Sequence, residues 1–259
     1  MNSFTFLAIF KLALILFFAA GQEPKPYQIA ENNVIIRFAE RREESAAREI
    51  LIFAVGARQK LAENYQLEFA ATEIRLSATT YEFCQITGRP WWQASIYRGR
   101  VIYLQPARVL RERGILEITL RHELMHQLVE ESGKGNSPVW LSEALAVYHS
   151  GEIAYLKPAL KKAATAKSLE WNQLEKSLEK MKTKTAAERL YFQLYHLGRF
   201  LEAEFEPRKI GVLIKRLAEK SSFDQACREV LGVDAKALEK RWLHHAASMP
   251  PRSAVGDSS

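Results

Sequence analysis

The sequence predicts an α+β protein: a small N-terminal α+β lobe followed by a mostly helical C-terminal lobe. Three observations predict it. Short β-branched or alternating runs occur only before Pro106, a long amphipathic helical period sits among them, and helical periods dominate from Pro106 onward. The chain has 259 residues, 47% hydrophobic and 26% charged. That is enough for a sizeable core and too apolar for bulk disorder. Two cysteines exclude a disulfide-dense scaffold and a four-cysteine zinc module. A net charge of +7 without a dense basic run gives no nucleic-acid signature.

Taken in order, Phe4 to Ala20 is apolar except for Thr5 and Lys11, and polar QEPKP follows Gly21. This reads as a signal peptide over residues 1–21, cleaved to leave Gln22 first, with an uncleaved membrane anchor as the alternative. The bulk of the chain is then exported, periplasmic or secreted, and meets a membrane only through this segment. Residues 22–33 read as a linker, 34–249 as one domain divided at 106/107, and 250–259 as a disordered tail.

Val34–Phe38 is a short β-branched strand, and Glu43 to Tyr65 carries apolar residues at helical spacing. Glu73–Ala78 alternates as a second strand, and Thr79–Ile86 forms a short helix ending before Gly88. Ile96–Leu104 is strand-like and broken by Gly99, with Val101–Leu104 its best stretch. Trp91 and Trp92 after Pro90 fit a packed loop, with the lining of a substrate cleft as the alternative. In the second lobe Ile115–Glu131 is one helix, and Ser137-Pro138 opens the next, with Ser as N-cap. Further helices are expected at 152–164, 170–181, 185–205, 208–220, 222–231 and 234–247, with Pro207 separating two of them. Cys84 and Cys227, each among apolar neighbours, read as two separate buried thiols, with a disulfide between them, which export would permit, as the alternative.

The chemistry-bearing segment is Arg121-His122-Glu123-Leu124-Met125-His126, an HExxH pattern. Residues four apart share a helix face, so both imidazoles can converge on one ion at roughly 2.0–2.1 Å. Glu123 has a different azimuth and reaches a water beside the ion instead, where a general base belongs. The helix is apolar nearly all round, so two buried histidines need a strong partner. A third ligand is expected from the next helix. There Glu143 lies between Trp140 and Val147 on an apolar face, where an unpaired charge is costly. Glu152, beyond Gly151, is a poorer ligand candidate. Two His and one Glu leave a position open, the geometry of a catalytic zinc.

HELMH followed by PVWLSEALAVY resembles the gluzincin metallopeptidases, and most closely their small peptidase MA-like families. The resemblance continues through Tyr191–Phe205 and Phe223–Trp242. Ala144 departs from it, standing where the family usually has Gly. The resemblance implies a thermolysin-like catalytic core over 34–249 and one zinc ion per chain on His122, His126 and Glu143. It implies a peptide or protein substrate hydrolysed through a zinc-bound water, with Glu123 as base. A later helix supplies an oxyanion donor in such families. Tyr191 matches best by position, with Tyr195 and His196 as alternatives. Val101, Ile102 and Tyr103 resemble the edge strand that binds substrate backbone. A pseudoenzyme or envelope-binding module on the same fold is the rival expectation, and intact Glu123 speaks against it. His149 is a further candidate to stand behind a metal ligand.

Overall fold

The computed structural model describes residues 26–154, 168–181 and 183–248. The expected signal segment, the C-terminal tail and most of the expected helix at 152–164 lie outside them. Five strands form one sheet: β1 (Tyr27–Glu31), β2 (Val34–Phe38), β3 (Thr72–Leu76), β4 (Ser95–Arg98) and β5 (Val101–Leu104). Their order is β1-β2-β3-β5-β4, with the three central strands parallel and both outer pairs antiparallel.

Three expectations change in the sheet. The 22–33 linker contains β1, which pairs with β2 through a turn whose Asn32 and Asn33 have φ of 49° and 61°. Two successive positive φ angles match the right-handed twist of a hairpin, and Asn tolerates them. β1 is largely exposed, so its composition resembles a linker. Second, the run from Ile96 to Leu104 is a hairpin, turning at Gly99 and Arg100 with φ of 59° and 69°. Third, β5 lies between β3 and β4, so both its hydrogen-bonding edges are occupied. Val101, Ile102 and Tyr103 therefore cannot take up a substrate strand. The open edge on that side is β4.

Alternate residues of the sheet are buried, among them Val34, Ile36, Ile74, Ile102, Leu104 and Tyr97. Two helices cover this face. Helix α1 (Glu44–Tyr65) packs on β2, with Ala47, Ile50 and Ala54 fully buried. After α2 (Thr80–Thr87) and α3 (Ala107–Glu112), helix α4 (Leu116–Ser132) packs against both α1 and β4. Leu120, Leu124, Met125, Leu128 and Val129 on α4 have no exposure. Burying each such side chain contributes about 1.5–3 kcal/mol.

Helix α5 (Val139–Ser150) lies against α4 on one side. Its N-cap is Pro138 (φ −55°, ψ 140°), with no side-chain cap, so Ser137 sits one position outside the cap it was expected to form. Trp140 stacks on Trp171 of α6 (Trp171–Glu179) at 4.2 Å and meets Phe223 edge-on. Helix α7 (Lys184–Leu217) crosses α5 at Gly198. A Cβ there would stand 2.4 Å from the Ala144 carbonyl oxygen and 2.7 Å from Tyr148 Cβ, so only glycine lets the helices approach this closely. The break expected at Pro207 is a kink in α7, with Glu206 at φ 62°, ψ 149°. Residues Phe223–Ala226 (α8) run into a π turn at Cys227–Leu231, and α9 (Ala235–Ser248) closes the bundle on α7. Both Cys84 and Cys227 are free thiols; Cys227 is buried as expected, whereas Cys84 is only half-buried.

Candidate metal centre

α4 brings His122 and His126 together one turn apart, and α5 brings Glu143 to them. The two Nε2 atoms lie 3.0 Å from each other. Glu143 places Oε2 3.8 Å from His122 Nε2 and Oε1 3.7 Å from His126 Nε2. Ligand atoms around a tetrahedral ion with bonds of 2.0–2.1 Å stand about 3.3 Å apart. The three observed separations bracket that value. Glu143 Oε2 is buried with no hydrogen-bond partner, a costly state that a divalent cation relieves. The donor set therefore fits a metal ion, and His122, His126 and Glu143 could hold one.

Each histidine has a polar group behind it. His126 Nδ1 lies 2.8 Å from Ser142 Oγ, one residue before Glu143. His122 Nδ1 faces Glu152 Oε2 at 3.4 Å. α5 stops at Gly151, whose φ of 80° reverses the chain, and Glu152–Ala154 form a short 3-10 turn that returns Glu152 to the ligands. Among the described residues Glu152 is not one of the converging three, but it is part of the site. The signal that could have found it is the glycine: a left-handed residue after a helix folds the next side chains back.

The electrostatics follow from this crowding. Burial alone would lower His122, but the carboxylates of Glu152, Glu123 and Glu143 raise it to about 10. Burial and the neighbouring His122 lower His126 to about 4. Burial is also the main cause that raises Glu143. In the absence of a cation, His122 is thus the imidazole that favours the additional proton and His126 the one that resists it.

A family model described as the peptidase MA superfamily matches residues 94–248. The chain belongs to the peptidase MA superfamily. The match begins at the residue before β4 and ends with α9, so it takes in the open-edge strand, both ligand-bearing helices and α7. A comparison with curated proteins finds no match. Membership of the peptidase MA superfamily suggests a peptidase-type hydrolase with a metallopeptidase-like fold.

Beside His122, His126 and Glu143, Glu123 is 5% exposed and held by β4. Ser95 Oγ donates to its Oε1 at 2.5 Å, and the Tyr97 amide donates to its Oε2 at 2.6 Å. Of the three oxyanion candidates, Tyr191 is the one beside the ligands, its ring centroid 6.1 Å from that of His122. Burial, followed by Glu143, Glu152 and Glu123, pushes its hydroxyl well above the ordinary tyrosine value, so it stays a proton donor. Tyr195 packs against Tyr148, and His196 against Phe192 and Tyr195. His149 does not stand behind a ligand. Its Nε2 meets Tyr65 Oη at 2.7 Å and Glu202 Oε1 at 2.5 Å, joining α1, α5 and α7. Trp91, expected in a packed loop, is 71% exposed on the segment leading into β4.

Proposed function

We propose that the protein is an exported zinc-dependent peptidase with one zinc ion per chain on His122, His126 and Glu143. The observation that carries this reading is Glu123: a buried carboxylate beside a convergent His, His, Glu set, anchored to the open edge of the sheet. Zinc, when bound, supplies an acidified water and polarises the scissile carbonyl.

The chain's own residues do the rest. β4, antiparallel to β5, pairs with no further strand among the described residues; its Tyr97 amide is taken by Glu123, and its remaining outward main-chain groups are those an extended peptide can meet. Glu123 accepts a proton from the attacking water as the C–O bond forms. It returns that proton to the nitrogen as the C–N bond breaks, giving a carboxylic acid and an amine. Tyr191 donates a hydrogen bond to the oxygen that gathers negative charge. Export is supported by the apolar segment before Gly21 alone; among the described residues no helix is long and apolar enough to cross a membrane.

The test is an assay of purified protein on an unfolded polypeptide such as casein, with elemental analysis of the same sample. The reading expects one zinc per chain, cleavage, loss of cleavage on chelation and recovery on adding zinc. Stoichiometric zinc with no cleavage of any unfolded polypeptide would favour the pseudoenzyme reading. N-terminal sequencing of exported protein should begin at Gln22.

A further inference from the structure

The open-edge strand does more than present its margin. Ser95 and Tyr97 are two apart on β4, so their side chains share the face turned toward α4. Ser95 Oγ and the Tyr97 amide take one oxygen each of the Glu123 carboxylate, at 2.5 and 2.6 Å. The start of β4 is itself fixed. Gln105, 1% exposed, donates from Nε2 to the Trp91 and Gln93 carbonyls, and its amide donates to the Ala94 carbonyl. The Ser95 hydroxyl is thus set in place by a buried network on one side and aimed at the base on the other.

We propose that Ser95 is a positioning residue for Glu123: its hydroxyl locks the carboxylate in one orientation beside the metal ligands. The proposal rests on the reading of Glu123 as the base. Two donors define the plane of a carboxylate, whereas one leaves it free to rotate. Each oxygen keeps a lone pair for the proton it must receive. Because the Tyr97 donor is main chain, Ser95 is the member of this clamp that substitution can remove.

The test uses the zinc-loaded protein and acetohydroxamate, which chelates a metal ion and passes a proton to a neighbouring carboxylate. Calorimetry is run on wild type, Ser95→Ala, Ser95→Thr, Glu123→Gln and the Ser95→Ala, Glu123→Gln double variant. Ser95→Ala should keep its zinc and bind the hydroxamate about tenfold to a hundredfold more weakly, the scale of a hydrogen bond to a charged group. Ser95→Thr, which keeps a hydroxyl, should bind nearly as wild type. In the Glu123→Gln background, Ser95→Ala should add no further loss. With a peptide substrate, Ser95→Ala should lower kcat and leave KM unchanged. Should Ser95→Ala fail to fold, Ser95→Cys, nearly isosteric and a weak donor, is measured in its place. Wild-type hydroxamate affinity in Ser95→Ala, or an equal loss with and without Glu123, overturns the proposal. If the hydroxamate pattern holds while no polypeptide is cleaved, Ser95 positions Glu123 and only the peptidase reading falls.

Discussion

The carboxylate of Glu152 stands 3.4 Å from Nδ1 of His122, on the far side of the imidazole from Glu143. Both facing atoms are buried and otherwise unpartnered. A carboxylate in this position fixes the ring's orientation and makes its other nitrogen a better ligand. Glu152→Gln should therefore keep the fold and weaken zinc binding about 10–100-fold, read by competition with a chromophoric chelator. Unchanged affinity would mean that Glu152 is a bystander.

Gly198→Ala should destabilise the protein through a single methyl group. The added Cβ meets the Ala144 carbonyl and Tyr148 Cβ, neither of which is the far end of a flexible side chain. Forcing α7 away from α5 should cost about 1–3 kcal/mol, measured by urea denaturation. The same shift moves Tyr191 on α7 away from His122, His126 and Glu143 on α4 and α5, so kcat should fall while zinc affinity stays near wild type. A variant as stable as wild type would show that the helix pair can slide to make room.

Tyr191→Phe should leave zinc content and stability near wild type and lower kcat about 10²–10³-fold, because it removes one hydrogen bond realised in the transition state. Tyr195→Phe, at the Tyr148 contact rather than beside His122, should change kcat little. Steady-state kinetics on one peptide separates the two. A larger loss in Tyr195→Phe would reassign the donor.

The convergence of His122, His126 and Glu143 was legible in the sequence because helical periodicity turns spacing into azimuth. His122, His126 and Glu143 needed only the 3.6-residue repeat and the cost of burying polar groups on apolar faces. What the sequence hid depends on pairing between segments distant along the chain. Nothing local in Ser95-Ile96-Tyr97 or Val101-Ile102-Tyr103 says which strand lies outermost, and the parallel pairing of β3 with β5 decides it. β1 was hidden because an exposed edge strand has the composition of a linker. Glu152 was hidden because its proximity to His122 comes from the reversal at Gly151. His149 looked like a supporting residue by position. The packing of Tyr65 and Glu202 around it is a tertiary fact.

The central claim is that Glu123 is a base and not a ligand, and Glu123→Gln tests it most directly. Gln is nearly isosteric, and position 123 lies outside the His122, His126 and Glu143 set. The variant should hold one zinc per chain while its kcat on a cleaved peptide falls by about 10²–10⁴-fold or more. Glu143→Gln, measured beside it, should lose zinc affinity as well as rate. Hydrolysis by Glu123→Gln at the wild-type rate, with zinc retained, would contradict the account.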